Sequence, residues 1–222
     1  MKLDSVGILI SLRPFDEHNA IACVFSCDFG VISGMMRGAF SGTKNKPLVG
    51  QVGTVSWNAR LDSALGVFHW ESERNLAAPI MMNPKTLCFM NSMFDLLLNL
   101  LPEREAYPNL YNKTLNTLQK FSLMPDSASD IYLSWEIFLL QELGYALNLT
   151  RCSGCGKTEN LNYLSPRTGR AVCDDCAAPY LNRLYKLPLS LLTTFRFIEN
   201  ICAQQGAKIP QSRIALAYKK TE

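Results

Sequence analysis

The chain has 222 residues, of which 48% are hydrophobic, and a formal net charge of +3. This length and apolar content predict a globular protein with one large domain or two to three small ones, and the modest charge excludes an overwhelmingly basic nucleic-acid scaffold. No apolar run reaches the roughly 18 residues of a membrane span, and the opening stretch, with Asp4 and Arg13, is unlike a signal peptide. We therefore expect a cytoplasmic protein with no membrane partner.

The cysteines and charges are unevenly distributed. Four of the eight cysteines are spaced like metal ligands and four are single, unlike a secreted disulfide framework, so a reducing compartment is expected. Residues 1–75 hold seven basic and seven acidic side chains, whereas residues 152–222 hold ten basic and five acidic ones. The positive surplus therefore lies in the C-terminal third.

The first 75 residues read as five short strands. The stretch VGILISL alternates apolar side chains with a period of two, and the stretches AIACVFSC, VISGMMRG, QVGTVSWNA and GVFHWES follow it. Five strands with glycines at positions where a small sheet must coil predict a small closed barrel. An OB-fold is the leading candidate, and an SH3-like barrel remains open from the pattern alone.

From about residue 84 the apolar period changes from 2 to 3.6, which predicts helices. Pro84 suits a first helical turn and Pro102 a stop. Further helical patterns follow in YPNLYNKTLNTLQKFSL, in the very apolar DSASDIYLSWEIFLLQELGYALNL and, after the cysteine segment, in LPLSLLTTFRFIENICAQQ and IPQSRIALAYKK. The chain is thus expected to leave a helical domain, form a metal-binding excursion and return to helix.

Two Cys-x-x-Cys pairs, with seventeen residues between them, enclose a hairpin-like segment. The pairs are Cys152 with Cys155 and Cys173 with Cys176, a spacing within the range of zinc ribbons. Between them the sequence predicts a hairpin that turns at residues 167–169. Four thiolates fill the tetrahedral shell of one zinc ion and leave no position open, so a single structural ion is predicted rather than a catalytic one. A thiol redox site is the alternative.

The sequence predicts no enzyme. His18 and His69 lie far from the cysteines and outside any His-Glu-x-x-His setting, and no phosphate-binding glycine loop or nucleophile motif is present. A zinc-dependent enzyme therefore has no visible base.

A single-stranded nucleic acid is the ligand that an OB barrel favours, with basic side chains along phosphates and aromatic side chains under bases. The predicted DNA-binding residues lie between the third and fifth strands: Arg37, Lys44, Lys46 and Arg60. Trp57 and Phe68 are instead expected in the barrel core.

Two stretches resemble the RecO family of bacterial DNA repair and recombination mediator proteins. ILISLRPFDEHNAIACVFSCDFGVISGMMRGA is similar to the first three strands of the family, and WEIFLLQELGYALNLTRCSGCG to its leucine-rich helix, Leu-Gly-Tyr and first cysteine pair. The order of these motifs over about 180 residues carries the resemblance. In this chain Ser134 and Trp135 precede Glu136, where the family often has arginine, so the site for an acidic tail is left unassigned.

The resemblance implies an α+β multidomain fold. It consists of an N-terminal five-stranded OB-fold barrel at residues 1–78, a helical domain at 79–150, an inserted four-cysteine zinc-ribbon-like segment at 151–180, and completing helices at 181–222. The implied function is non-enzymatic: binding of single- and double-stranded DNA, strand annealing and loading of recombinase onto strands coated by single-stranded-DNA-binding protein. The implied partners are RecR and the C-terminal tail of the coating protein, in the bacterial cytoplasm at the nucleoid.

The charge balance of residues 1–75 leaves one alternative open. A neutral barrel also suits a protein-interaction adaptor whose contact with DNA is incidental.

Overall fold

A computed structural model describes residues 2–41, 46–59, 65–145 and 147–218. The chain divides into two compact units, residues 1–132 and residues 133–222. The first unit contains a β-barrel and helices, and the second contains a small sheet, the cysteine segment and further helices.

Five strands form a closed barrel in the order β1-β2-β3-β5-β4. Antiparallel pairing of β1 with β4 closes the ring, and β3 pairs in parallel with β5. This confirms the predicted five-stranded, OB-like barrel. The strands are β1 (Lys2–Pro14), β2 (Ala20–Ser26), β3 (Gly30–Met36), β4 (Gln51–Asn58) and β5 (Gly66–Asn75).

Alternating side chains fill the barrel, as the period-two pattern predicts. Trp57 and Phe68 belong to this core, so their predicted burial is confirmed. The indole Nε1 of Trp57 donates to the Ser33 carbonyl oxygen at 3.0 Å, which satisfies its one polar atom. A Cβ on Gly66 would lie 2.1 Å from the same indole, so only glycine fits beside this side chain.

A segment beyond the second helix completes the edge of β3. Arg104 donates its backbone N–H to the Val31 oxygen at 2.9 Å, and the Ser33 hydroxyl donates to Glu103 Oε1 at 2.7 Å. The Arg104 guanidinium lies 4.6 Å from the centre of the Trp57 ring. Backbone groups of β3 that β5 does not reach thus find partners here.

The helices of the first unit begin where the sequence predicts. Pro84 is the first residue of its helix, and the Asn83 side chain accepts hydrogen bonds from the N–H groups of Lys85 and Thr86 at 2.9 and 3.3 Å. A fourth helix begins in the first unit and contains the boundary between the units. The helices are α1 (Ala77–Met81), α2 (Pro84–Leu100), α3 (Pro108–Leu123) and α4 (Ala128–Glu142).

The second unit contains the predicted hairpin. It is formed by β6 (Tyr163–Leu164) and β7 (Ala171–Val172), with Gly169 at φ 64° in its turn. A third strand, β8 (Tyr185–Lys186), pairs with β6 and was not predicted, because two residues are too few to show a period. The helices are α5 (Asp174–Ala177), α6 (Leu191–Gln205) and α7 (Gln211–Tyr218).

Candidate metal centre and basic barrel loops

The four predicted ligands lie together in the second unit. The Sγ atoms of Cys152, Cys155, Cys173 and Cys176 are all within 4.8 Å of one another, and those of Cys155 and Cys173 are 3.6 Å apart. A tetrahedral ion with sulfur at about 2.3 Å holds its ligands about 3.8 Å apart. The cluster therefore has the size of a four-sulfur metal site.

Local backbone geometry positions the first pair. Gly156 donates its N–H to the Cys152 oxygen at 3.0 Å and has φ 79°, a conformation that glycine adopts without strain. The Gly154 N–H points at Cys152 Sγ at 3.3 Å. The tight turn thus aims both backbone and side-chain groups at one point.

The second pair is positioned by a helix start. Cys173 is the N-cap of α5 and Cys176 lies in its first turn. The Cys173 N–H approaches Cys152 Sγ at 3.4 Å and connects the two pairs. Cys152 and Cys173 are each 2% exposed, while Cys155 is exposed, so the cluster faces water on one side.

Amide donors lower the pKa of one thiol of the cluster, that of Cys152. Hydrogen bonding from the Cys173 N–H is the main cause that lowers the pKa of Cys152 to about 6, with further help from the amides of Cys155 and Gly154. In contrast, thiol hydrogen bonds, first with Cys155, raise the pKa of Cys176 to about 12. A divalent cation among the four sulfur atoms would favour their thiolate forms.

Polar side chains at the start of α5 are already paired. Lys157 Nζ donates to Asp175 Oδ2 at 2.9 Å, and Asn162 Nδ2 donates to both carboxylate oxygens of Asp174 at 2.9 and 3.0 Å. These carboxylates are therefore held beside the cysteines rather than directed into the cluster.

The predicted DNA-binding residues are only partly described. Arg37 is exposed in the turn that follows β3, and Lys46 is exposed ahead of β4. The Arg37 turn lies against the β1–β2 loop, because Gly38 N–H donates to Asn19 Oδ1 at 3.0 Å and Phe40 N–H donates to the His18 oxygen at 3.1 Å. Lys44 and Arg60 lie outside the described residues.

Glu136 lies in a buried setting that the sequence pattern does not reveal. Its carboxylate accepts two hydrogen bonds from Arg213, and both side chains are fully buried.

Among the described residues, no helix is both long and apolar enough to cross a membrane.

Comparison with known proteins gives the family. The model of the family "Recombination protein O C terminal" matches residues 82–220. The chain belongs to the RecO family of DNA repair proteins. This confirms the resemblance seen in the sequence.

Curated DNA repair proteins RecO match most of the chain. The protein of Granulibacter bethesdensis is 38% identical over 188 residues, which is 83% of this chain and 74% of the relative. That of Jannaschia sp. is 38% identical over 200 residues (89% and 80%), and that of Orientia tsutsugamushi 32% over 195 residues (86% and 80%). Each of these alignments leaves fewer residues of the chain unaligned than the stretch 1–81 contains. The similarity to RecO proteins therefore includes part of the barrel.

Proposed function

We propose that this chain is a DNA-binding, strand-annealing recombination mediator that helps load recombinase onto single-stranded DNA coated by single-stranded-DNA-binding protein. The observation that carries the proposal is the combination, in one chain, of RecO-family sequence and a closed OB-like barrel. Barrels of this kind bind single strands on an outer face and its neighbouring loops. The predicted segments 1–78, 79–150, 151–180 and 181–222 are proposed as its functional divisions.

Annealing requires that the phosphates of two strands be neutralised while their bases stay free to pair. Basic side chains on loops can do this without a reacting group. We assign the role on the barrel to Arg37, Lys44, Lys46 and Arg60. Exposure of Arg37 and Lys46 supports the assignment.

The outer faces of the barrel differ in composition. On β1 and β5 the exposed acids Asp4, Glu71 and Glu73 are accompanied by the exposed bases Lys2, Arg13 and Arg74, and Lys2 Nζ lies 3.0 Å from Asp4 Oδ2, so the exposed charges of these two strands balance. On β2 and β3, in contrast, partly exposed Ile21, Cys23, Ser33 and Met35 alternate with buried residues. The proposed strand path lies at the end of β3 that leads into the turn carrying Arg37, because nearer the middle of this strand the Glu103 carboxylate accepts a hydrogen bond from Ser33 at 2.7 Å.

The metal is proposed to be one structural zinc ion held by Cys152, Cys155, Cys173 and Cys176. Four sulfur ligands close the coordination sphere, so no position is left for water or substrate, and this supports a non-enzymatic protein. A metal analysis of protein purified without chelator should give one zinc per chain. Cobalt-substituted protein should show a four-sulfur tetrahedral spectrum, and an open site would favour a zinc-dependent enzyme instead.

RecR and the C-terminal tail of the single-stranded-DNA-binding protein are the proposed protein partners. The proposed location is the bacterial cytoplasm at the nucleoid, where single- and double-stranded DNA are present. Family membership supports these assignments.

The main test is annealing of complementary oligonucleotides coated with the single-stranded-DNA-binding protein, with and without RecR. We expect the chain to speed annealing at low salt. A chain that neither binds DNA nor speeds annealing under either condition contradicts the proposal.

Charge reversal tests the barrel assignment. The double variant Arg37→Glu with Lys46→Glu should reduce the slope of log affinity against log salt by roughly 1.4, because each lost single-strand phosphate contact lowers this slope by about 0.7. Lys85→Glu with Lys120→Glu is the matched control, because both lysines are exposed on helices of the same unit. Equal slopes for the two variants would remove Arg37 and Lys46 from the site.

A protein-interaction adaptor is the second candidate. The charge balance of residues 1–75, with seven basic and seven acidic side chains, favours it. Partner binding together with undetectable DNA affinity would support the adaptor, whereas DNA binding by the chain alone would favour the mediator.

A further inference from the structure

Three clefts lie around the cysteine hairpin and β8 in the second unit. Their volumes are about 670, 420 and 480 Å3. The first two share the hairpin tip, residues 166–168, and the second and third share Leu184. The three neighbouring clefts are here named the ribbon groove.

All Lys, Arg, Asp and Glu side chains that line the ribbon groove, among the described residues, are basic. Arg167 lines the first two clefts, Arg183 the second, and Lys186 and Arg196 the third. Asp174 and Asp175 lie outside the lining and are paired with Asn162 and Lys157. The lining of the three clefts therefore carries cations, while the Glu199 carboxylate, outside the lining, is close enough to Tyr185 of the third cleft to act on it electrostatically.

The metal site supplies the main negative charge beside the cations of the ribbon groove. Cys176 lines the second cleft, and four thiolates around a divalent ion carry a net charge of about −2. Arg167 and Arg183 lie in this same cleft and offset that charge. Lys186 and Arg196 then leave the groove as a whole with a positive surplus.

The groove also offers an aromatic surface. Tyr180 lines the second cleft and is 55% exposed. The ring of Tyr185, in the third cleft, is instead packed against other side chains. It lies edge-on to Phe197 and beneath the Arg196 guanidinium, which is 5.4 Å away. The exposed ring of Tyr180 is thus available to a ligand base.

We propose that the ribbon groove binds a single strand of nucleic acid, with phosphates on Arg167, Arg183, Lys186 and Arg196 and a base stacked on Tyr180. Regularly repeated negative charge and planar bases are the chemistry that such a path recognises. The inference rests on the proposed DNA-binding function and deepens it, because a mediator that anneals needs contacts for two strands and the barrel is proposed to supply one.

The test measures binding of fluorescent oligothymidylate by the full-length, metal-loaded chain over a salt series. The groove variant carries Arg183→Gln, Lys186→Gln and Arg196→Gln. Its matched control carries Arg151→Gln, Arg170→Gln and Lys208→Gln, three exposed cations of the same unit that do not line the groove. The groove variant should reduce the slope of log affinity against log salt by roughly 2, because each lost phosphate contact lowers this slope by about 0.7. The control should leave the slope near the wild-type value.

Tyr180 is tested separately. Tyr180→Ala should weaken binding roughly tenfold through loss of base stacking, and Tyr180→Phe should restore it because the ring is kept. Thermal midpoints and zinc content that match the wild type show that the variants are folded.

The outcomes separate this inference from the proposed function. If the wild-type chain binds no DNA, both fail. If it binds DNA but the groove variant and its control have equal slopes, the groove assignment is overturned while the proposed function stands. The groove is also overturned if its variant loses binding of a glutamate-rich peptide and keeps wild-type oligonucleotide affinity, since the occupant is then an acidic protein segment.

Discussion

Arg213 and Glu136 form a two-point ion pair in the interior of the second unit. Arg213 Nε lies 2.5 Å from Glu136 Oε1, Nη2 lies 2.9 Å from Oε2, and both side chains are fully buried. Arg213 Nη2 also donates to the Leu191 oxygen at 2.6 Å and to Thr194 Oγ1 at 3.2 Å. One guanidinium thus connects α4, α6 and α7.

Neutralising the carboxylate should strongly destabilise the second unit. Glu136→Gln leaves a buried guanidinium without its counter-charge, which typically costs about 3–5 kcal/mol. Urea denaturation followed by circular dichroism measures the loss. Glu199→Gln, the same change at an exposed position of α6, should shift the free energy of unfolding by less than about 0.5 kcal/mol.

Removing both charges should be less harmful than removing one. Glu136→Leu with Arg213→Met replaces the pair by apolar side chains of similar size, which removes the desolvation cost of both charges. A double variant as unstable as Glu136→Gln would contradict the view that an uncompensated charge causes the loss.

Removal of the proposed zinc ion should loosen the cysteine hairpin while the barrel stays folded. Metal binding is coupled to folding of small ligand-spaced segments, and the barrel strands contain none of the four clustered cysteines. After chelation, or in Cys152→Ser with Cys155→Ser, amide hydrogen exchange should rise in residues 152–176 and stay unchanged in β1–β5. Cys27→Ser is the control, because Cys27 lies outside the cluster. Unchanged protection of 152–176 would show that the metal does not stabilise this segment.

Gly30 should be among the least replaceable residues of the barrel. It has φ 66°, and an added Cβ would lie 1.8 Å from the Glu105 carbonyl oxygen. Gly38 has the same φ, but its Cβ would meet only the Ser41 hydroxyl, at 4.0 Å. Gly38→Ala should therefore cost about 1 kcal/mol from backbone strain alone, and Gly30→Ala several times more. Equal thermal shifts in the two variants would contradict a steric role for Glu105.

Local patterns explain why much of the architecture could be predicted from the sequence. Strand alternation, Pro84 at a helix start and the two Cys-x-x-Cys pairs each act over a few residues, and the structure has the barrel, the helix and the cysteine cluster. The hairpin between the pairs follows from the ligand spacing for the same reason.

Long-range partnerships account for most of what could not be predicted. Arg213 lies 77 residues from Glu136, in a helix whose pattern gives no sign that its arginine is buried. The contact of Gly30 with Glu105 and the pairing of β8 with β6 also depend on tertiary approach. The predicted DNA-binding set stays a prediction, because exposed arginines and lysines carry no local pattern that distinguishes a phosphate contact from ordinary surface.

Acid should weaken the β1–β2 loop, next to the turn that carries Arg37, through Asp16. The Asn19 side chain donates to Asp16 Oδ2 at 2.8 Å, and the N–H groups of His18 and Asn19 donate to Oδ1, each at 2.8 Å. These bonds, that of the Asn19 side chain first, lower the pKa of Asp16 from its usual 3.8. Because the unfolded chain then binds the proton more tightly, the stabilisation is complete above pH 3.8 and is lost as the pH falls through the lower, folded-state value.

A 13C titration of the Asp16 carboxyl group should give a midpoint below 3.8, and Asp16→Ala should shift the amide resonance of Gly38, which binds Asn19. Asp126→Ala, at an exposed position outside the loop, should leave that resonance in place, and an Asp16 midpoint at or above 3.8 would contradict the assigned hydrogen bonds.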